Sequence, residues 1–207
     1  HVRHRVVANL RNVGEDLAKR VADGLAMQLP AKSKAAIEPE DMDPSPALRI
    51  IDKYAPTLEG RSIAILVCDG SDGKIVKSVK KQVEAEGATV KIVAPKIGGV
   101  TLKDGSVLPA DGQLAGTPSV LFDAVAIVLS DSGCSELVKD GAATDFAKHA
   151  FGHLKAIGYN QEAQPLLDAA GIQTDEAVID LKAGIADFIE KAKTRAWERE
   201  PKVRMLA

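Results

Sequence analysis

Ser62-Ile63-Ala64-Ile65-Leu66-Val67-Cys68, followed at once by Asp69-Gly70-Ser71-Asp72-Gly73, is the stretch that decides the fold. A nearly unbroken apolar run that ends in a cluster of turn formers reads as a strand buried on both faces. Ile75, Val76, Val79 and Val83 then recur at helical spacing, with Lys77, Lys80, Lys81 and Glu84 on the other side. Thr89–Ala94 repeats the strand signal. The unit is therefore strand, turn, helix, strand, the building block of a parallel sheet.

Downstream, the same alternation continues. Val100–Leu102 and Val107–Pro109 flank Lys103-Asp104-Gly105-Ser106, and Asp-Gly between short β runs predicts a hairpin. Ala124–Leu129 is a third buried strand, closed by Ser130-Asp131-Ser132-Gly133. Thr144–His153 reads as a helix, Leu154–Tyr159 as a fourth strand, Gln161–Ala170 as a helix and Ala177–Asp180 as a last strand. Asp180 is placed to cap a final helix with the stripe Ile185, Phe188, Ile189, Ala192 and Ala196. Strands that alternate with helices imply α/β architecture, a flavodoxin-like three-layer sandwich with a mostly parallel sheet. Any ligand crevice lies at the C-terminal ends of its strands. Those ends are Cys68–Gly73, Ser130–Cys134 and Tyr159–Glu162.

Upstream, Val6, Leu10, Val13, Leu17, Val21 and Leu25 draw one apolar stripe, which predicts a single helix over 1–30 that Pro30 ends. Residues 31–60, with Pro39, Pro44, Pro46 and Pro56, read as an extended linker, pinned at Leu48, Ile50, Ile51 and Tyr54. Residues 61–207 make the α/β domain. The chain starts without Met, and a lone amphipathic helix cannot bury its stripe. The expectation is a C-terminal piece of something larger.

The chain has 207 residues, 45% of them apolar but only 3% aromatic, so its core is built from Val, Ile, Leu and Ala. A net charge of -2 gives no electrostatic reason to expect nucleic acid or a membrane surface as partner. No run of 18 apolar residues occurs. Two cysteines are too few for a disulfide scaffold and leave the compartment undetermined.

The chemical motifs are sparse. Gly73-Lys74 is followed by Ile75 and preceded by Cys68 where a phosphate loop needs glycine, and no G-x-G-x-x-G follows a strand. His149 and His153 are four apart on a helix, but the segment His149-Ala150-Phe151-Gly152-His153 lacks the Glu of a zinc protease, and a third ligand is missing. Cys134 follows a strand near a helix start. It reads as a small turn residue rather than a nucleophile, with a Ser substitution changing stability by no more than ~0.5 kcal/mol. Cys68, Asp69, Gly70, Asp131, Ser132, Gly133 and Cys134 could together line a small polar pocket.

The order of segments resembles the C-terminal region of large-subunit haem catalases. Asn9–Ala18 and Val21–Leu25 are similar to the last helix of the catalase core, and Ser45-Pro46-Ala47-Leu48 to its connector. Ala64–Gly70, Leu114–Val120, Phe122–Val125, Gly152–Ile157 and Ala196–Glu200 are similar to the appended domain. That domain in turn resembles the DJ-1/PfpI branch of class I glutamine amidotransferase-like folds. Active members carry Ile-Cys-His-Gly at an elbow before a helix ending Ala-Ala-Gly. Leu166–Gly171 fits that helix end, and counting back puts Asn160, Gln161 and Glu162 at the elbow. The nucleophile position falls on Gln161, the His position on Glu162, and the assisting Glu near Lys74 or Ile75.

The resemblance therefore implies a non-enzymatic domain with no cofactor of its own, the haem belonging to the parent catalase. It implies the catalase core and the other subunits of a homotetramer as partners, and an ATP-independent holding activity toward unfolded clients as a further role. A residual enzyme, ligand or redox site at Cys134 or Cys68 is the alternative.

Overall fold

The computed structural model describes residues 1–38, 40–49, 53 and 55–204; the expected anchors Ile50, Ile51 and Tyr54 lie outside the described residues. The chain divides into two compact units, 1–53 and 54–207.

The first unit departs from the single predicted helix. It holds α1 (Val2–Leu10) and α2 (Glu15–Gly24), separated at Arg11–Gly14 by a break in which Gly14 is extended. The two helices fold on each other over Val7, Ala18 and Ala22, with Leu10, Val21 and Met27 packed alongside. Val6, Val13, Leu17 and Leu25, four of the six stripe positions, stay exposed. The stripe was read for one straight helix, and the break rotates α2 so that its small alanines face inward instead. Side chains and backbone hold the turn: Arg11 pairs with Glu15 and donates to Pro30 O at 2.8 Å, and Asn12 and Ser33 are bonded across it. Among the described residues, 31–60 forms no helix or strand, as a proline-punctuated linker should.

The second unit is a flavodoxin-like three-layer α/β sandwich. Its elements are β1 (Ser62–Val67), α3 (Gly73–Ala85), β2 (Thr89–Ala94), β3 (Val100–Thr101), β4 (Val107–Leu108), β5 (Gly112–Gln113) and β6 (Ala124–Val128). After these come α4 (Asp131–Leu137), α5 (Gly141–Gly152), β7 (Ile157–Tyr159), α6 (Gln164–Ala169), β8 (Val178–Asp180), α7 (Leu181–Ala192) and α8 (Glu200–Arg204). The main sheet runs β5-β2-β1-β6-β7-β8, all pairs parallel, and β3–β4 is the antiparallel hairpin that Asp104-Gly105 announced.

The period of two along β1 sorts its side chains between the layers. Ile63, Ile65 and Val67 face α3 and α7, together with Ala124, Ala126 and Val128 of β6. Ala64, Leu66 and Cys68 face α4, α5 and α6, together with Val125, Ile127 and Leu129. Four strands fall within a residue or two of the sequence reading. β7 is shorter, because Leu154–Ala156 turns into the sheet with Leu154 in the left-handed region at φ +59°. Asp180 caps α7 as expected, its side chain accepting Lys182 N–H at 2.9 Å. The edge strand β5 and the helix α4 lacked a sequence signal: β5 is a Gly-Gln pair, and α4 (Asp131–Leu137) is rich in Ser and Gly.

Candidate functional site

In a doubly wound sheet the natural ligand crevice lies where the chain leaves neighbouring strands in opposite directions. Here that point is between β1 and β6. The ten candidate pocket and junction residues gather at this end of the sheet, and the gap between the two strand ends is bridged by the protein itself, with a cleft on either side.

Two turns close the gap. Ser71 Oγ donates to Val128 O at 2.6 Å and accepts Cys68 N–H at 2.9 Å, tying the loop after β1 to the end of β6. Ser130 Oγ donates to Asp69 O at 2.6 Å and accepts Gly133 N–H at 3.1 Å, so one hydroxyl both caps α4 and bolts it to the β1 turn. Ser130 N–H points to Cys68 Sγ at 3.3 Å. Gly70 turns at φ +80°, and Gly133 has no room for a side chain, since a Cβ there would lie 2.2 Å from Cys68 Sγ. Backbone amides that could face an anion thus meet a sulfur and a hydroxyl of the protein itself. Ser71 and Ser130, the residues that make the seal, carry no sequence signal beyond ordinary turn chemistry.

The two cysteines are core groups. Cys68 is 3% exposed and Cys134 1%. Cys134 is not the small turn residue expected from sequence: it lies within α4, turned toward the layer of α5 and α6. Burial pushes its thiol above the usual range, against a smaller opposing effect of the Leu166 backbone. A thiol so placed is a poor nucleophile. Cys134→Ser should accordingly cost about 1–3 kcal/mol by placing a hydroxyl in an apolar site, rather than being silent. A denaturation midpoint unchanged from wild type would refute this placement.

After β7 the chain makes strand, junction and helix. Asn160 is buried at the junction and doubly bonded to Leu129, accepting its N–H at 2.9 Å and donating to its O at 2.7 Å. Asn160 also donates to Glu162 Oε2 at 2.8 Å. Gln161 is exposed on the 3-10 turn Gln161–Ala163, its amide 3.4 Å from Asp180 Oδ2. A carboxamide carries no attacking pair for acyl transfer, and Glu162 is committed to Asn160. Lys74, near the assisting position, gives its backbone N–H to the Asp72 cap at 2.8 Å.

Shallow clefts remain on either side of the seal. One of about 320 Å³ is lined by Cys68, Asp69, Lys96, Ser132, Gly133 and Glu136. The other, of about 570 Å³, is lined by Asp72, Lys103, Asp131, Gln161, Glu162 and Lys182. Charges of both signs line each. His149 and His153 stack with ring centroids 6.3 Å apart, and among the described residues no three His, Cys, Asp or Glu side chains converge as metal ligands. These residues do not fit a haem either, which needs an axial ligand facing a large apolar slot: both thiols are packed into the core and the stacked histidines are exposed.

The fold defines an α/β domain of the flavodoxin-like class with a mostly parallel six-stranded sheet. The model of the C-terminal domain found in long catalases matches residues 59–199, and the chain belongs to that family. It is 42% identical to Catalase C of Rhizobium meliloti over 211 residues, covering 99% of this chain and 30% of that protein. Similarity to Catalase HPII of Mycobacterium avium is 33% over 219 residues, covering 96% of this chain and 30% of that one. Catalase-2 of Bacillus subtilis is 33% identical over 206 residues, covering 96% and 29%. The chain therefore spans less than a third of the length of these relatives.

Proposed function

We propose that this chain is the non-catalytic C-terminal domain of a long haem catalase and serves to stabilise that enzyme's assembly, with peroxide chemistry and haem confined to the remainder of the parent. The observation that carries this reading is the self-filled switch point: the place where such a fold would bind a ligand is occupied by Ser71, Ser130, Cys68 and Gly133. The finer ancestry, a degenerate DJ-1/PfpI-like domain, is supported by the strand–junction–helix path through Asn160, with Gln161 and Glu162 standing at the reactive positions. The core of the parent and neighbouring subunits of a tetramer are then its partners.

Two measurements test this. Incubated with haem, the chain should give no Soret band and decompose no peroxide above a heat-killed control. In a full-length parent, removal of residues 59–207 should lower the temperature at which subunits dissociate while leaving the haem spectrum intact. Peroxide decomposition by the chain alone, or unchanged dissociation after the deletion, would overturn the reading.

A second role, ATP-independent holding of unfolded clients, is favoured by one observation. Val2, Val6, Val13, Leu17, Leu25 and Leu29 in the helical unit are all at least one-third exposed. Such surface can hold apolar client segments. Light scattering from a heated client should fall in proportion to added chain and should do so at moderate salt. Scattering equal to that with an unrelated flavodoxin-like protein would remove this role.

A further inference from the structure

At the end of the sheet opposite the clefts, the segments that precede β6 and β7 meet the chain that follows α7. Lys155 lies there, only 3% exposed. Its Nζ donates to Ser119 O at 2.6 Å, the one hydrogen bond found for this group among the described residues, although an ammonium carries three donors. Ser119 is itself fully buried, and its Oγ finds no hydrogen-bond partner among the described residues.

The charges around Lys155 do not compensate it. Asp123, ahead of β6, is the nearby carboxylate, but it is already engaged: Oδ2 accepts Ser62 N–H at 3.1 Å and Oδ1 pairs with Arg195 at 3.4 Å. Arg195, after α7, is a like charge. His153, at the end of α5, is a second titratable neighbour, held below its ordinary range by burial and then by Lys155. Arg199 donates to Lys155's own carbonyl at 2.9 Å and takes its counter-charge from Asp175. Burial first, and Arg195 second, hold the Lys155 amine down to about 8, with Asp123 offsetting only part.

The turn that Lys155 holds is not inert. Ser119–Leu121 is a 3-10 turn that presents Val120 and Leu121, 53% and 62% exposed, at the surface. A buried cation with unused donors gains by reaching water, and the turn to which its one found hydrogen bond runs carries exposed residues at the surface.

We propose that Lys155 is a proton-operated latch on the base of the sheet: proton uptake favours a form in which the Ser119–Leu121 turn is lifted, and proton loss closes it. The sign follows from linkage. The closed form holds the proton less tightly than an open form with a lysine near its ordinary value of about 10.4, so protonation favours opening. Closure strengthens as pH rises from about 8 toward that value.

Hydrogen exchange of the Leu121 and Phe122 amides, which donate to Pro118 O and Ser119 O, reads this directly. After correction for intrinsic rates, their protection should rise about tenfold between pH 7 and pH 9, while that of Ile127 in the centre of β6 stays flat. Lys155→Met should remove the pH dependence, and His153→Gln should leave it in place. In parallel, the Lys155 side-chain carbon resonances of the wild-type chain should titrate well below the range of the exposed lysines. Flat protection in the wild type, an unchanged slope in Lys155→Met, or a Lys155 titration among the exposed lysines would each overturn the latch. The resonance titration needs no variant and decides the matter if Lys155→Met fails to fold.

Discussion

Arg199→Ala is expected to destabilise the α/β unit by about 3–5 kcal/mol. The guanidinium is 2% exposed and every face of it is used. Nε and one terminal nitrogen form a fork on Asp175 at 2.6 and 2.8 Å. The other donates to Phe151 O and Lys155 O at 3.2 and 2.9 Å, and the plane stacks over the Phe151 ring 4.1 Å from its centroid. Truncation strands one carboxylate and two carbonyls and opens a hole beneath the segment that leads to α8. Arg199→Lys should recover only part of this, because an ammonium cannot make the planar fork.

The acid limb of the stability curve provides an independent reading. Burial tends to raise the Asp175 carboxyl, but the Arg199 hydrogen bonds, the Ala177 N–H and the charges of Arg199 and Lys202 together outweigh it and the net shift is downward. A carboxylate lowered in the fold adds stability above the unfolded value of about 3.9, and that stability is lost as pH falls through the folded one. Urea midpoints between pH 6 and pH 3 should therefore fall more steeply in the wild type than in Arg199→Ala. Parallel curves would mean that the pair contributes nothing.

Gly133→Ala is expected to cost about 3 kcal/mol, at the upper end of overpacking effects. The added methyl would lie 2.2 Å from Cys68 Sγ, 2.8 Å from Cys68 Cβ and 3.1 Å from Ser130 Oγ. Their room to withdraw is small, since Cys68 directly follows a central strand and is buried, and Ser130 is bonded to both turns. Cys68→Ala in the same chain should restore only part of the loss, because the Cβ contact remains. Full recovery in the double variant would locate the whole clash at sulfur. No loss in the single variant would show that α4 is free to move away, and the switch point would then be open to ligands after all.

These two residues mark the limits of what was legible beforehand. The existence of the buried strands follows from apolar runs, because a strand buried on both faces can hardly look otherwise, whereas their order in the sheet is set by crossovers that no single segment announces. Ile63 and Ala64 go to opposite layers by the pleat alone. The strand, junction and helix around residues 160–169 were legible because the apolar run before Asn160 and the Leu166-Leu167 pair after it carry different periods. Arg199, by contrast, looked like any arginine of a charged tail, and its burial depends on Asp175 and two carbonyls that no local pattern announces. Lys155 and Ser119 were hidden for the same reason. Cys134 was misplaced because Ser130–Gly133 carries turn chemistry, and the helix that follows is dominated by small and polar residues. The helix break at Arg11–Gly14 escaped because an unbroken three-and-four spacing continues across it.

The base of the sheet has a consequence for the order in which the domain is made. Arg61, just ahead of the first strand, donates to Ala192 O, a partner 131 residues later, and Arg195 returns to Asp123 across 72. During synthesis β1 can pair with β2 early, because only a helix intervenes. Its other neighbour, β6, emerges later, and the hydrogen bonds beneath both are completed only by residues 192–199, synthesised later still. Such long-range closure makes folding slow relative to local contacts. Until residues 192–199 arrive, Arg61 and Asp123 lack these partners, and a chain that stalls short of them is the species on which quality control would act.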